Sequence, residues 1–473
     1  MNELKRSLSA NTTIALVIGG IIGSGIFMKP ALMASQVGSP WLLLSAWVVA
    51  GVVTLFGALS NAEVACMFPE TGGQYVFFQK MYGNGFAFLY GWSAFAVFNT
   101  AGNASVAWVF SQYINYFVEL PRLAPAVELA TVWHIPYVGD IHPLENLGVK
   151  SVTILLILIL TTINYFSVNY GGALQRFLTI LKAVAIVVLI GGILFSGKGS
   201  MQHLHETLPN MPQGWAMVGA YMAAISGAFW GYDGWNNICF VAGEVKNPKR
   251  NIPRSLFLGL SFCILVYTLV NLAYIYVLPI GQLSTSSLVA SDAATVTWGL
   301  IGGALIALMI ILSTLGSTNA NVLATSRVTY AMGDGNRLFA WAGKTQPKYQ
   351  TPGNALWLNA IWTVVLIISG SFDMLTDMLI FVSWFFYGMS GLGVFLLRSR
   401  MKDFPRKYKV WGYPIVPICF VSFVAFFLCS TLITDIQHYR DGTAPIINSL
   451  LGLLITAIGI PIYFLSKKKT TQS

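Results

Sequence analysis

Charge is what this 473-residue sequence has least of. Only 9% of its residues are Asp, Glu, Lys or Arg, against about 25% in an ordinary soluble protein, and that shortage excludes a water-soluble globular chain. Cysteine is sparse as well. Cys66, Cys239, Cys263, Cys419 and Cys429 lie in or at the ends of apolar runs and no two form CxxC, so they read as small core residues. The histidines His134, His142, His203, His205 and His438 all fall between apolar runs. "HLHE" at 203–206 has no further Cys or His near it, "HETLP" does not complete HExxH, and GxSxG does not occur. With no catalytic constellation and no metal-ligand set, neither an enzyme nor a cofactor is expected.

What the sequence has is apolar length. Apolar residues make up 56% of it, and stretches of about 20 such residues cross a bilayer as helices. Twelve occur, at roughly 12–36, 40–66, 86–117, 149–166, 174–195, 215–241, 253–278, 296–325, 354–369, 374–397, 414–434 and 445–465. The fold class is therefore an all-α polytopic membrane protein of about twelve transmembrane helices. The first stretch is too long for a signal peptide and no small-residue cleavage site closes it. Of 27 Lys and Arg residues, 21 fall in connections that lie inside if both termini do; Lys29, Arg122, Lys150, Lys198 and Arg440 fall outside, and Lys182 alone lies within a span. That bias satisfies the positive-inside rule with both termini cytoplasmic. The net charge of +10 then marks topology and contact with anionic lipid, and no nucleic acid partner is expected, because the basic residues flank spans in short clusters.

The first span carries "VIGGIIGSGIFMKP" (17–30). Gly19, Gly20, Gly23, Ser24 and Gly25 allow the backbone to leave the helix, or alternatively allow close helix packing. The sixth span decides between these, because "SGAFWGYDGWNN" (226–237) again sets glycines and an acid, Asp233, in mid-membrane. Two interrupted helices at corresponding places in two halves point to an inverted-repeat transporter with a midplane site. Irregular backbone at that depth persists only where protein or an aqueous cavity satisfies it. The N-terminus of the second half of helix 1 presents free amides and a positive dipole end, suited to a carboxylate. Unpaired carbonyls at the breaks suit an ammonium. A molecule with both groups on adjacent atoms is an α-amino acid.

"GGIIGSGIF" (19–27), "MFPETGGQYVF" (67–77), "FWGYDGWNN" (229–237), "VAGEVKNPKRNIPRS" (241–255), "GSTNANVLATSRVTYAMGDGN" (316–336) and "YKVWGYPIVP" (408–417) resemble, in order and over essentially the whole chain, the L-amino-acid transporter family of the amino acid–polyamine–organocation superfamily. The resemblance implies the leucine-transporter fold: helices 1–5 (residues 1–195) and 6–10 (196–397) as inverted repeats, with helices 11 and 12 and a cytoplasmic tail in 398–473. It also implies sodium-independent amino acid exchange. Carried over by position, the family's carboxylate donors fall on the backbone of Gly23, Ser24 and Gly25. Its ammonium acceptors fall on the carbonyls of Ile21, Trp230 and Asp233, and its aromatic gate on Trp230. The Asp233 side chain either meets a polar or cationic substrate group or ties down the broken backbone. Eukaryotic members of the family pair with a single-span glycoprotein through a cysteine in the loop after helix 3. Residues 118–148 hold no cysteine, so a bacterial member without a disulfide-linked heavy subunit is expected.

Lys182 lies about eight residues from either end of its apolar span, roughly 12 Å deep at 1.5 Å per residue, and an ionisable group at that depth is functional and paired. The resemblance sets it where sodium-driven relatives bind a cation, against helices 1 and 8. It either braces the break in helix 1 or carries a coupled proton. Glu63, near the inner end of helix 2, reads as a loop anchor. Glu70, Glu244, Arg250 and Arg254, at equivalent inner loops, form either an ion-pair lock or a solvated surface. The expectation is a plasma-membrane amino acid exchanger working by alternating access on neutral L-amino acids. A proton-coupled symporter is the rival within transport, and a non-transporting amino acid sensor the rival outside it.

Overall fold

The computed structural model describes residues 8–69, 73–166, 171–333 and 339–466, with side chains omitted over 171–180. Lys5, Arg6, Glu70, Arg337 and Lys467 to Lys469, and the side chain of Arg176, lie outside the described residues. Helices dominate, because a chain in hydrocarbon must satisfy every backbone amide and carbonyl within itself. In the first third they are α1 (Ala10–Ile21), α2 (Gly25–Val37), α3 (Pro40–Met67), α4 (Gln74–Tyr82), α5 (Asn84–Ser93), α6 (Thr100–Ile114) and α7 (Pro125–Ala130). Next come α8 (Leu147–Phe166), α9 (Gly171–Leu194), α10 (Trp215–Tyr232), α11 (Asn237–Phe240), α12 (Pro248–Val277) and α13 (Ile280–Thr285). The last are α14 (Val289–Met332), α15 (Gly353–Ser369), α16 (Phe372–Arg400), α17 (Ile415–Arg440) and α18 (Asn448–Ser466). A short antiparallel hairpin, β1 (Trp133–Ile135) and β2 (Gly139–Ile141), lies in the long connection before α8.

All twelve predicted stretches contain helix. Among the described residues seven helices, α3, α8, α12, α14, α16, α17 and α18, are each long and apolar enough to cross a bilayer, and α1 with α2 makes an eighth that is bent by 45°. The other four predicted spans differ for local reasons. The third is divided by a π-helical turn at Ala94–Asn99 between α5 and α6, the sixth is broken after Tyr232, the ninth, Gly353–Ser369, is shorter, and the fifth runs as α9 through Gly171–Leu194, with side chains described only from Leu181. The element α14 is itself kinked at Gly299, whose φ of +75° suits glycine.

Contacts divide the chain into two compact units. One comprises Met1–Ala87, Val184–Ile306 and Ser383–Thr431. In it α3 packs on α12 and α10, α2 on α10, and α1 on α12. The second comprises Phe88–Ala183, Ala307–Val382 and Leu432–Ser473, with α6, α8 and α15 packed on one another. Within this second unit α14 makes a polar contact to each of four neighbours. Ser317 Oγ accepts from Lys182 Nζ of α9 at 3.1 Å, and Asn319 Oδ1 from Asn164 Nδ2 of α8 at 2.7 Å. Thr325 Oγ1 accepts from Asn103 Nδ2 of α6 at 3.0 Å, and Thr329 Oγ1 donates to Asn359 Oδ1 of α15 at 2.7 Å.

Three expectations are corrected. Lys29 does not lie outside: it sits inside α2, 1% exposed, with its Cδ 3.5 Å from where a Cβ on Gly227 of α10 would be. The aliphatic stem of the lysine is buried along apolar helix surface, which lowers the cost of its depth. Lys182 is therefore not the one basic residue within a span. Cys419 and Cys429 are exposed, unlike the buried Cys66, Cys239 and Cys263. The reason is that α17 buries only 28% of its apolar window, so its outward face presents small apolar residues as readily as large ones.

Candidate functional site

The first break follows from its sequence. Ser9 caps α1, accepting the Thr12 amide at 3.3 Å, and the helix runs to Ile21. Ile22 is extended at ψ 95°, and α2 restarts at Gly25 with the Phe27 amide donating to the Ser24 carbonyl at 3.1 Å. The first amides of α2 have no partner within the helix. Ser24 is 3% exposed, and its hydroxyl is buried without a hydrogen-bond partner among the described residues. An orphaned buried hydroxyl beside a helix N-terminus marks a position that a polar ligand would satisfy.

The second break lies at the end of α10. Asp233 is extended (φ −61°, ψ 154°), its amide donates to the Trp230 carbonyl at 3.3 Å, and Gly234 at φ +98° turns the chain before the short α11. That φ belongs to glycine, since any other residue there is strained.

Both breaks belong to the first unit, and they meet. A Cβ on Gly234 would stand 2.5 Å from the Gly20 carbonyl oxygen, and one on Gly25 would stand 2.7 Å from Gly231 Cα and 3.2 Å from the Trp230 ring. A Cβ on Gly23, by contrast, would find only the Ile21 oxygen, at 3.7 Å. The break expected from the sequence is there, and close packing accompanies it: Ile22 to Ser24 leave the helix, while Gly20 and Gly25 permit close approach. Between the breaks stands Tyr267 of α12, whose hydroxyl is 2.9 Å from both the Ile21 and the Gly231 carbonyls. Its single proton serves one of them at a time. Trp47 of α3 packs edge-on against Tyr232 and Tyr267, with centroids 5.9 and 5.3 Å away. Two of the three carbonyls assigned to an ammonium, Ile21 and Trp230, thus already have a protein donor within reach.

Trp230 is 8% exposed and lies over Gly25. The Asp233 carboxylate accepts the Tyr387 hydroxyl of α16 at 3.0 Å, so at least one of its oxygens ties the broken backbone to that helix. Tyr387 is held in turn by Trp235 and Trp384, at 5.1 and 5.9 Å between centroids. Sequence reasoning missed Tyr267 and Tyr387. Each is one aromatic among many in an apolar run, and nothing in its own neighbourhood signals a polar partner.

Lys182, 8% exposed, reaches α14 at Ser317. Glu63 of α3 is 1% exposed and anchors a loop, as its position led us to expect. Its two oxygens accept Arg398 Nε at 2.9 Å and Nη2 at 2.6 Å, and the Val410 amide at 2.7 Å, while Arg406 Nε stands 3.5 Å away as an ion-pair contact without a hydrogen bond. Arg406 also donates to the Leu397 and Met401 carbonyls at the end of α16, and Arg398 stacks 3.5 Å over the Tyr413 ring. Residues 401–414 are thereby strapped onto α3. Of the four residues named for an inner lock, Glu70 lies outside the described residues. Among the described residues no ion pair joins Glu244 to Arg250 or Arg254. Instead the Leu8 amide donates to the Glu244 carbonyl at 3.0 Å and the Lys246 amide to the Leu8 carbonyl at 2.9 Å.

The family model for amino acid permeases matches residues 8–455. The chain is 31% identical, over 99% of its length and 98% of the relative's, to the serine/threonine exchanger SteT of Bacillus subtilis (strain 168). It is 27% identical, over 98% of its length and 88% of the relative's, to the mouse b(0,+)-type amino acid transporter 1. It is also 28% identical to the human cystine/glutamate transporter, over 98% of its length and 85% of the relative's. These relatives are transporters, not enzymes, and they are matched almost end to end. With two broken spans meeting at a buried polar position and that match along its length, the chain belongs to the amino acid permease family, as a multi-pass helical membrane protein.

Proposed function

We propose that the chain is a plasma-membrane exchanger of neutral L-amino acids that works by sodium-independent alternating access, with both termini cytoplasmic. The observation that carries this reading is the meeting of the two breaks around the unpartnered Ser24 hydroxyl. In it the amides of Gly23, Ser24 and Gly25 receive the substrate carboxylate, and the carbonyls of Ile21, Trp230 and Asp233 receive the ammonium. Trp230 closes over both. The Tyr387 hydroxyl bond to Asp233 favours a small neutral side chain, because it engages the carboxylate that a cationic side chain would need. The relative named for serine and threonine exchange supports the same substrate size. The composition of the units supports two repeats, 1–195 and 196–397, followed by 398–473. One unit takes α1 to α3 with α10 to α12, and the other takes α6 and α8 with α15, elements at matching places in the two halves. Residues 118–148 hold no cysteine, so no disulfide-linked partner belongs to this reading.

The test is uptake of labelled L-serine into proteoliposomes. Uptake should depend on neutral amino acid preloaded inside and not on sodium. Equal uptake into empty vesicles under a pH gradient would instead establish a proton symporter.

Lys182 is assigned the coupling position. Removing its ammonium leaves Ser317 without this donor, at about 1–3 kcal/mol per unsatisfied group, enough to redistribute two conformations a few kcal/mol apart. Lys182→Ala is therefore expected to slow exchange at least about tenfold, the effect of roughly 1.4 kcal/mol on a rate. Substrate affinity should suffer more on one membrane face than on the other, and Lys182→Arg should not restore it, since a planar fork does not replace a compact ammonium. Retained exchange with loss of all response to a pH gradient would make Lys182 a proton carrier.

A further inference from the structure

In the connection before α8, residues 120–123 and the first turns of α8 line a cleft of about 250 Å³. Its walls are Leu120, Pro121, Leu123, Leu147, Ser151 and Val152, with Arg122 also lining it. The one hydroxyl there, of Ser151, is spent on the Leu147 carbonyl at 2.7 Å, so the walls present hydrocarbon. Arg122 has a side chain 62% exposed, yet it is fixed in place. Its Nε and Nη2 donate to the two oxygens of Glu128 at 3.4 and 2.9 Å, and the Glu128 side chain is 4% exposed. Those hydrogen bonds hold the Glu128 carboxyl below the usual carboxylate range. Glu128 also accepts the Asn146 amide at 3.3 Å, so the anchor is part of the loop's own framework. The grip uses two of the five guanidinium N–H donors and leaves the remainder for an anion.

From the cleft an exposed stripe continues along α8, winding by about 40° at each four-residue step. Leu147, Ser151, Leu155, Ile159, Ile163 and Phe166 succeed one another at helical spacing on its outward face. The connection before α8 exposes Phe117, Val118, Val127 and Leu129 as well, apolar surface suited to the interfacial zone of a bilayer. Anchored cation, apolar cleft and apolar stripe follow in that order. A phospholipid has matching parts in the same order: phosphate, glycerol ester region and acyl chain. A small soluble anion would use only the first of them.

We propose that this cleft binds a phospholipid of the adjacent leaflet, its phosphate on the Arg122 guanidinium and an acyl chain along the α8 stripe. The test is titration of the delipidated full-length protein in detergent with dioleoylphosphatidylglycerol, followed by native mass spectrometry. Wild type should retain one lipid with an affinity at least about tenfold above that of Arg122→Gln, the effect of losing one charge-assisted hydrogen bond. Val152→Trp fills the cleft while sparing the Arg122–Glu128 pair, and should weaken retention similarly. It decides the matter if Arg122→Gln does not fold. Dioleoylglycerol, which lacks the phosphate, should bind wild type no better than it binds Arg122→Gln. Unchanged lipid retention in Val152→Trp would overturn the proposal. So would displacement of the lipid by inorganic phosphate at matching concentration, which would mark a site for a free anion.

Discussion

Glu63→Ala is expected to destabilise the protein by about 3–5 kcal/mol, the usual cost of removing one member of a buried ion pair. Glu63 faces two guanidinium groups and one backbone amide, and the side chains of Arg398 and Arg406 are only 19% and 8% exposed. With the carboxylate gone, both cations stay in a poorly hydrated place with no counter-charge, and the Val410 amide loses its acceptor. The strap 401–414 would then be held chiefly by Arg406 on the end of α16, by Phe404 against Phe68 at 5.5 Å between centroids, and by Val410 against Leu59. Replacing both partners, as Glu63→Met with Arg398→Met, should recover part of the loss, because an apolar pair costs no desolvation. Recovery should be incomplete, since Arg406 remains. Thermal unfolding in detergent, followed by size exclusion of heated samples, measures this directly. A Glu63→Ala protein that melts with wild type would show that the strap is held without the ion pair.

Gly25→Val should eliminate measurable substrate binding. The structure gives this substitution two separate effects. A β-branched side chain obstructs the approach of a carboxylate to the amides at the start of α2. Its Cβ also falls 2.7 Å from Gly231 Cα, a backbone atom that cannot move aside as a side-chain end would. The two breaks would be forced apart, at the roughly 1–3 kcal/mol typical of overpacking, so a lowered melting temperature is expected together with a folded, monodisperse protein. Gly23→Ala separates the effects, since a Cβ there meets nothing closer than the Ile21 oxygen at 3.7 Å. It should melt like wild type, and any loss of serine binding it shows then reports the ligand's approach to the backbone. Normal serine affinity in Gly25→Val would falsify the assignment of the first break as the carboxylate site.

The sequence made the breaks legible and hid what holds them. Gly23 to Gly25 and Asp233 to Gly234 stand out because glycine and an acid are costly in the middle of an apolar run, so the chain advertises its irregular backbone. Tyr267 and Tyr387 do not stand out, because an aromatic in such a run is ordinary and its hydroxyl partner comes from a helix far away in sequence. Arg398 and Arg406 were counted as charges marking the inner side, and the same residues proved to be the partners of Glu63; a charge tally records the side of a residue, not its contact. Lys29 was misplaced by that tally for the opposite reason. A tally sets each lysine on one side or the other, whereas this one is buried within α2 beside α10. Apolar length likewise marks α17 as a span without showing that it turns Cys419 and Cys429 outward.

The four polar contacts of α14 bear on how that helix is oriented about its own axis. In water a helix is turned to hide its apolar face, but in lipid every azimuth of an apolar helix is nearly equivalent. Successive residues differ by about 100°, so Ser317, Asn319, Thr325 and Thr329 point in four directions spread over more than half of the circumference. Rotation by one residue would separate all four from Lys182, Asn164, Asn103 and Asn359 at once. At about 0.6 kcal/mol each, such bonds add little to stability. As a set they act as the wards of a key, admitting one rotational setting, so the lipid-facing residues of α14 are free to vary in sequence without turning the helix.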